Sequence, residues 1–231
     1  MICNTCGGSG YIYLGDGTTQ FCQCTITKIK SHKQDNYFCK HYAPTEKQIK
    51  GEFDFNNRTS TLGMVKTAMR FIENPFGFFT LWGGSGNGKS HTAETIAYNL
   101  KTKGFSCAFI RLPVLIDIFR KFELDSRDAY TTIQNDLFSL DLLVIDEFDA
   151  SSIKNQKSRF TEYAWEKTHT IVNNRYEQAL KRERHTIFTT NNDPSFFESS
   201  IYSRLSHGIE NGGDGFVVYE NTDSDYRRYA K

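Results

Sequence analysis

Two stretches of this chain carry residues whose types and spacing suit phosphate chemistry. Gly83-Gly84-Ser85-Gly86-Asn87-Gly88-Lys89-Ser90 fits the pattern G-x-x-x-x-G-K-S/T. Its glycines let successive backbone N–H groups turn inward around phosphate oxygens. The Lys89 ammonium suits the β- and γ-phosphates, and the Ser90 hydroxyl suits Mg²⁺. An apolar run precedes the loop and a helix-forming stretch follows it, so the positive end of a helix dipole adds to the site. The second stretch, Leu142-Leu143-Val144-Ile145-Asp146-Glu147, is an apolar strand ending in two carboxylates. A buried carboxylate at that edge needs a partner, and Mg²⁺ is a ready one. Asp146 is expected to hold Mg²⁺, directly or through water, and Glu147 to polarise the attacking water. Read alone, this stretch is an ordinary strand followed by an acidic turn that includes Asp149. The phosphate loop upstream turns it into half of a site.

Polar residues downstream extend that site. His185-Thr186-Ile187-Phe188-Thr189-Thr190-Asn191 is a strand with a polar tip, where Asn191 is placed to orient the attacking water. Asn191-Asn192-Asp193-Pro194 is also a strong turn signal in its own right. Arg204, in Ser203-Arg204-Leu205, can project onto a neighbouring subunit's nucleotide and stabilise transition-state charge. Arg175 and Arg227 suit either a site role or a structural one. Arg111, Arg120, Lys121 and Arg127 interleave with Phe119 and Phe122, a mixture that suits single-stranded nucleic acid. An amphipathic helix with its phenylalanines inward explains the same pattern equally well.

The N-terminus offers different chemistry. Cys3-x2-Cys6 and Cys22-x1-Cys24 supply four thiolates, enough for one tetrahedral Zn²⁺ with no position left open for catalysis. Between the pairs, Tyr11 to Leu14 and Thr18 to Phe21 flank a Gly-Asp-Gly turn, as in a hairpin. Cys39 and His41 are substitute ligands. A module this small has little core, so the metal is expected to supply much of its folding free energy.

The elements that must position these residues follow from periodicity and turn chemistry. Helices are predicted at 60–73, 89–103, 113–138 with a break near Asp125-Ser126, 157–182 and 199–207. Strands are predicted at 76–82, 105–112, 142–145, 186–190 and 216–219. Strands alternating with helices imply a parallel sheet covered on both faces. Residues 1–26 read as a cysteine module, 27–51 as a linker rich in Lys28, Lys30, Lys33, Lys40, Lys47 and Lys50, and 52–231 as one α/β domain.

The 231 residues, 38% of them hydrophobic, can build a core, which excludes wholesale disorder. A net charge of +1 provides no overall basic field for nucleic acid, so such binding requires a local patch. No run reaches the roughly 18 apolar residues of a membrane helix. The first residues lack a basic-then-apolar signal, so the expected compartment is the cytoplasm and the six cysteines are expected to stay reduced.

From about residue 52 onward the chain resembles the AAA+ ATPases of the DnaC/DnaI helicase-loader and IstB transposition-helper group. Phe53 and Phe55 resemble the lead-in to the loop. Gly83 to Ala93 is similar to G-x-x-G-x-G-K-S/T-H-x-A, which adds His91 to the nucleotide-binding residues. Asp141 to Phe148 resembles the acidic strand, although Phe148-Asp149-Ala150 replaces the usual Leu-Gly. Asn174-Arg175-Tyr176-Glu177, Thr186 to Asn191, Ser203-Arg204-Leu205 and Asp225-Tyr226-Arg227 resemble the remaining motifs. The cysteine pattern is similar to zinc modules of loader-type proteins, in phages and Gram-positive bacteria among others. The resemblance implies an AAA+ P-loop NTPase fold preceded by a zinc-ribbon-like module. It also implies slow, Mg²⁺-dependent ATP hydrolysis, homo-oligomers when ATP is bound, and docking onto a hexameric replicative helicase and single-stranded DNA. The compartment is the host cytoplasm if the gene is phage-borne. The alternatives are a transposition helper and a nucleotide-switched binding module with negligible turnover.

Overall fold

Short apolar runs form strands here, and each run between them with helical periodicity returns the chain to the same edge of the sheet. The computed structural model describes residues 3–15, 18–25, 35–46, 58–148, 162–207 and 215–226. A hairpin of β1 (Tyr11–Tyr13) and β2 (Thr19–Phe21) comes first, with Tyr11 directly opposite Phe21. Helices α1 (Tyr37–His41) and α2 (Thr59–Glu73) lead to β3 (Phe78–Gly83) and α3 (Lys89–Thr102). Then come β4 (Cys107–Arg111), α4 (Leu112–Asp125), α5 (Arg127–Ser139) and β5 (Leu142–Asp146). The chain continues through α6 (Glu162–Leu180), β6 (His185–Thr190), α7 (Ser199–Leu205) and β7 (Phe216–Asn221). Among the described residues, no helix is long and apolar enough to cross a membrane.

Strands β3 to β7 form one parallel sheet in the order β4-β5-β6-β3-β7. Every residue of β5 is buried, because helices cover both faces. Alternation sorts its side chains. Leu142 and Val144 pack with Met64 and Phe71 of α2 and Ile96 and Leu100 of α3. Leu143 and Ile145 face the other side, toward Leu115 and Phe119 of α4, Ile133 of α5 and Ile171 of α6. The parallel register brings the C-terminal ends of β3, β5 and β6 together, and with them the loops that sequence reasoning singled out.

The break expected near Asp125-Ser126 falls at Ser126. Its backbone is extended there, and its hydroxyl accepts from Ala129 N at 3.1 Å, so one residue ends α4 and caps α5. The helix predicted from 157 is described over Glu162–Leu180, and 157–161 lie outside the described residues.

Within the stretch read as a linker, residues 36–42 are packed against the domain rather than free of it. Asn36 caps α1 by accepting from Phe38 N at 2.9 Å and Cys39 N at 3.2 Å. Its amide also donates to Asp136 O of α5 at 2.6 Å. Phe38 is wholly buried in the main core, and Tyr42 O accepts from Phe109 N at 2.8 Å. Lysine-rich composition masked this docking, because one buried phenylalanine and one cap decide it. Lys28, Lys30, Lys33, Lys47, Lys50, Phe53 and Phe55 lie outside the described residues.

Arg175 belongs to the floor of the sheet, at the strand ends opposite the phosphate loop. It is completely buried and donates to Thr186 Oγ1 at 3.0 Å, to Leu140 O at 2.8 Å and to His185 O. Burial, and then the neighbouring Arg184, lower its pKa to about 9. Asp141 ties the adjoining strand start, accepting from Ser106 N at 2.8 Å and from Arg184 at 2.6 Å. Arg175 is therefore a structural staple. Replacing it with Met removes the buried donor that Thr186 Oγ1, Leu140 O and His185 O share, and the expected loss is about 3–5 kcal/mol of stability, measured by urea unfolding. A loss below about 1 kcal/mol, the size of an exposed contact, would contradict this role.

Candidate functional site

The loop after β3 needs backbone geometry that only glycine adopts cheaply. Gly83, Gly86 and Gly88 have φ of 133°, 73° and 95°. A Cβ on Gly83 would also lie 2.1 Å from Asn221 O. Gly88 hands the chain straight into α3, whose first residue is Lys89. The Lys89 ammonium is nearly buried and donates to Gly83 O at 2.9 Å, Gly84 O at 2.6 Å, Asn87 Oδ1 at 3.1 Å and Asn191 Oδ1 at 3.1 Å. Residues 85–91 of this loop line a cleft of about 380 Å³ together with Asp146, Glu147 and Thr189 to Asn191.

The acidic strand end meets the loop across this cleft. Ser90 Oγ donates to Asp146 Oδ1 at 2.6 Å, and Thr189 Oγ1 donates to the same oxygen. Asp146 is buried at 5% exposure, and the partners it shows are hydroxyls rather than a cationic side chain. A buried carboxylate beside a serine hydroxyl is a hard-oxygen pair that fits Mg²⁺. Glu147 has a left-handed φ of 55°, uncommon for a residue with a side chain and characteristic of functional sites. Its backbone N–H donates to Thr189 Oγ1 at 3.3 Å, and its carboxylate lies 3.8 Å from Arg111 Nε.

The structure thus brings Lys89, Ser90, Asp146, Glu147 and Asn191 to one place. It adds Thr189, which bridges Asp146 and Glu147, and Arg111, which closes β4 beside them. Thr189 was visible only as part of a polar tip. Arg111 belongs to the mixture that suits single-stranded nucleic acid, and in the structure its guanidinium meets Glu147. Arg204 does not line this cleft. It lies over the Tyr176 ring at 5.7 Å and donates to Ser200 O at 2.5 Å. Phe119 is wholly buried and Phe122 packs against the core, so neither is an open stacking platform for bases. Arg120 covers the Tyr163 ring at 5.3 Å. Arg227, Asp149 and Ala150 lie outside the described residues. Just before Arg227, Tyr226 N donates to Gly86 O at 2.9 Å, which ties Tyr226 to the loop.

In the N-terminal hairpin, the sulfurs of Cys3, Cys6, Cys22 and Cys24 all lie within 4.8 Å of one another. Cys3 and Cys22 are 3.8 Å apart, and Cys6 and Cys24 are 3.5 Å apart. Zn–S bonds near 2.3 Å at the tetrahedral angle separate sulfurs by about 3.8 Å, so the set fits Zn²⁺. Gly7, Gly8 and Gly10 have positive φ, and Gly10 N donates to Cys6 Sγ at 3.3 Å. Backbone hydrogen bonds from Cys6 and Thr5 lower the Cys3 thiol to about 6. Bonding to the sulfurs of Cys6 and Cys3 raises Cys24 to about 12. Amides turned toward sulfur in this way stabilise thiolates. Cys39 and His41 belong to α1 and are not members of this cluster.

Residues 28–193 match the family described as IstB-like ATP binding protein. In fold the chain is similar to AMPPCP-bound DnaA from Aquifex aeolicus, with a TM-score of 0.57 and 17% identity over 79% of this chain and 50% of that one. It is also similar to the replication initiator DnaA bound to AMPPCP and single-stranded DNA, with a TM-score of 0.55 and 17% identity over 77% of this chain and 49% of that one. For the DnaC helicase loader the TM-score is 0.56, with 18% identity over 83% of this chain and 99% of that one. The chain spans about half the length of these DnaA chains. No curated protein matches its sequence.

Proposed function

The chain belongs to the IstB-like ATP-binding protein family, within the DnaC/IstB group of AAA+ ATPases, and from that premise we propose that it loads a hexameric replicative helicase onto single-stranded DNA. The observation that carries this reading is the joining, in one chain, of a nucleotide cleft and a four-cysteine hairpin that fits Zn²⁺. The share of the DnaC loader covered, 99% of that chain, supports it. Residues 1–26 serve as the metal-bound docking module, 27–51 connect it, and 52–231 bind and hydrolyse ATP.

Bound ATP with Mg²⁺ supplies an electrophilic terminal phosphate, and the protein supplies position and charge. The loop N–H groups and Lys89 hold the β- and γ-phosphates. Ser90 and Asp146 hold Mg²⁺. Glu147 accepts a proton from the attacking water, which Asn191 orients. Arg204 reaches the nucleotide of a neighbouring copy, in keeping with its place outside its own cleft.

The family match itself favours a second reading, a helper ATPase that directs a transposase to target DNA. Sizing chromatography with the cognate replicative helicase separates the two. The expected result is a complex whose stability changes with ATP. No complex in either condition, with ATP-dependent oligomers on duplex DNA, would replace the loader reading with the second.

A further inference from the structure

We propose that Asn221, the last residue of β7, is a positioning residue of the phosphate loop. It holds Asn87 so that the Lys89 ammonium is aimed into the cleft. This rests on the cleft being a nucleotide site. Asn221 is fully buried and stands in register with Gly83, where the loop begins. Its side-chain amide donates one hydrogen to Asn87 O at 2.8 Å and the other to Thr61 Oγ1 at 3.2 Å. Its side-chain oxygen accepts from Asp223 N at 3.1 Å. In return, the Asn87 amide donates to the main-chain oxygen of Asn221 at 2.7 Å. That reciprocal pair fixes which way the Asn87 side chain points. Its oxygen is thereby presented to Lys89 Nζ, 3.1 Å away.

Each polar group of the Asn221 side chain is committed, so the site demands an amide. Aspartate has the same shape but would set an oxygen against the Asn87 carbonyl, repelling the loop it should hold. Alanine would leave Asn87 O without its donor. The brace is anchored outside the loop, because Thr61 lies in the first turn of α2 and its N–H donates to Asp223 Oδ2 at 2.6 Å. A hydrogen-bonded path therefore runs from α2 through Asn221 and Asn87 to Lys89.

The test is a titration of the full chain with a fluorescent ADP analogue and Mg²⁺, at a temperature where circular dichroism shows each variant folded. Asn221→Asp is expected to raise the Kd at least about tenfold, the size of one lost buried hydrogen bond. Asn87→Ala is expected to weaken binding too, and the double variant to be no worse than the weaker-binding single one, because both break the same path. A Kd within about twofold of the parent overturns the proposal even if melting falls, and so does multiplication of the two single effects. If Asn221→Asp does not fold, Thr61→Val decides by the same reading, since it takes from the Asn221 amide the acceptor that anchors it to α2. Failure of the unmodified chain to bind the analogue would overturn the nucleotide site itself, a distinguishable result.

Discussion

Lys89→Ala is expected to raise the Kd for ATP at least about 100-fold, while Glu147→Gln leaves that Kd within about threefold and slows turnover at least about 100-fold. The contrast follows from where the two side chains sit. Lys89 is nearly buried, and its ammonium already gathers four oxygens of the loop and of Asn191 around one point. Phosphate oxygens bring more charge to that point, and each charge-assisted bond contributes about 1.5–3 kcal/mol. Alanine removes those bonds and orphans the loop carbonyls as well, so the free protein should also melt earlier. Glu147 lies at the rim of the cleft, half exposed, and touches Arg111 rather than the loop. Glutamine keeps its shape and loses only its basicity. Calorimetric titration and phosphate release measure both effects. If neither variant changes complex formation with the helicase, the nucleotide does not govern docking. If only Lys89→Ala does, binding is the switch and turnover resets it. Equal damage from both would mean that docking needs hydrolysis.

Stripping the metal should unfold the N-terminal hairpin and leave the nucleotide site intact. The chain is expected to purify with about one Zn²⁺, held by Cys3, Cys6, Cys22 and Cys24. Apparent zinc binding in such modules reaches about 10–16 kcal/mol, which exceeds anything this hairpin can gain from burial. Cys22 is its wholly buried side chain, while Tyr11, Tyr13 and Phe21 stand largely in solvent. A strong chelator should expose four further thiols to a thiol reagent and flatten the tyrosine signal in near-ultraviolet dichroism. The Kd for ATP should not move, because the cleft is built from 83–91, 146–147 and 189–191. A zinc-free chain with the same thiol reactivity would sink this expectation. Equal zinc loss from Cys39→Ser and Cys22→Ser would move a ligand to α1.

The parts of the site legible in the sequence are those whose chemistry is local. A phosphate loop is one contiguous segment, and its glycines, lysine and serine are adjacent because the backbone itself makes the cradle. Apolar runs of strand length, closed by Asp146 or Asn191, announce strand ends for the same reason. The Ser126 break, the start of α3 at Lys89 and the parallel alternation of strand and helix also follow from short-range rules.

Other features needed neighbours that no local pattern names. Nothing around Thr189 says that its hydroxyl will bridge Asp146 and Glu147, since that depends on β6 lying beside β5. Arg111 reads as a basic surface residue until the sheet order sets β4 beside β5. Arg175 suits a site role or a structural one from its motif, and burial beneath the sheet makes it a staple. Phe38 sits in a lysine-rich stretch whose average hides one anchoring side chain.

By itself, then, the sequence determined the segments: the phosphate cradle, the acidic strand end, the four thiols and the rhythm of strands and helices. The tertiary structure alone decided which segments meet. The order β4-β5-β6-β3-β7 is set by how two layers of helices bury both faces of the sheet, a property of the whole chain. That order sets Asn221 beside Gly83, and Asn221 reaches Asn87 across 134 residues of chain. A hydrogen bond depends on distance and angle in space, and sequence separation carries no record of either.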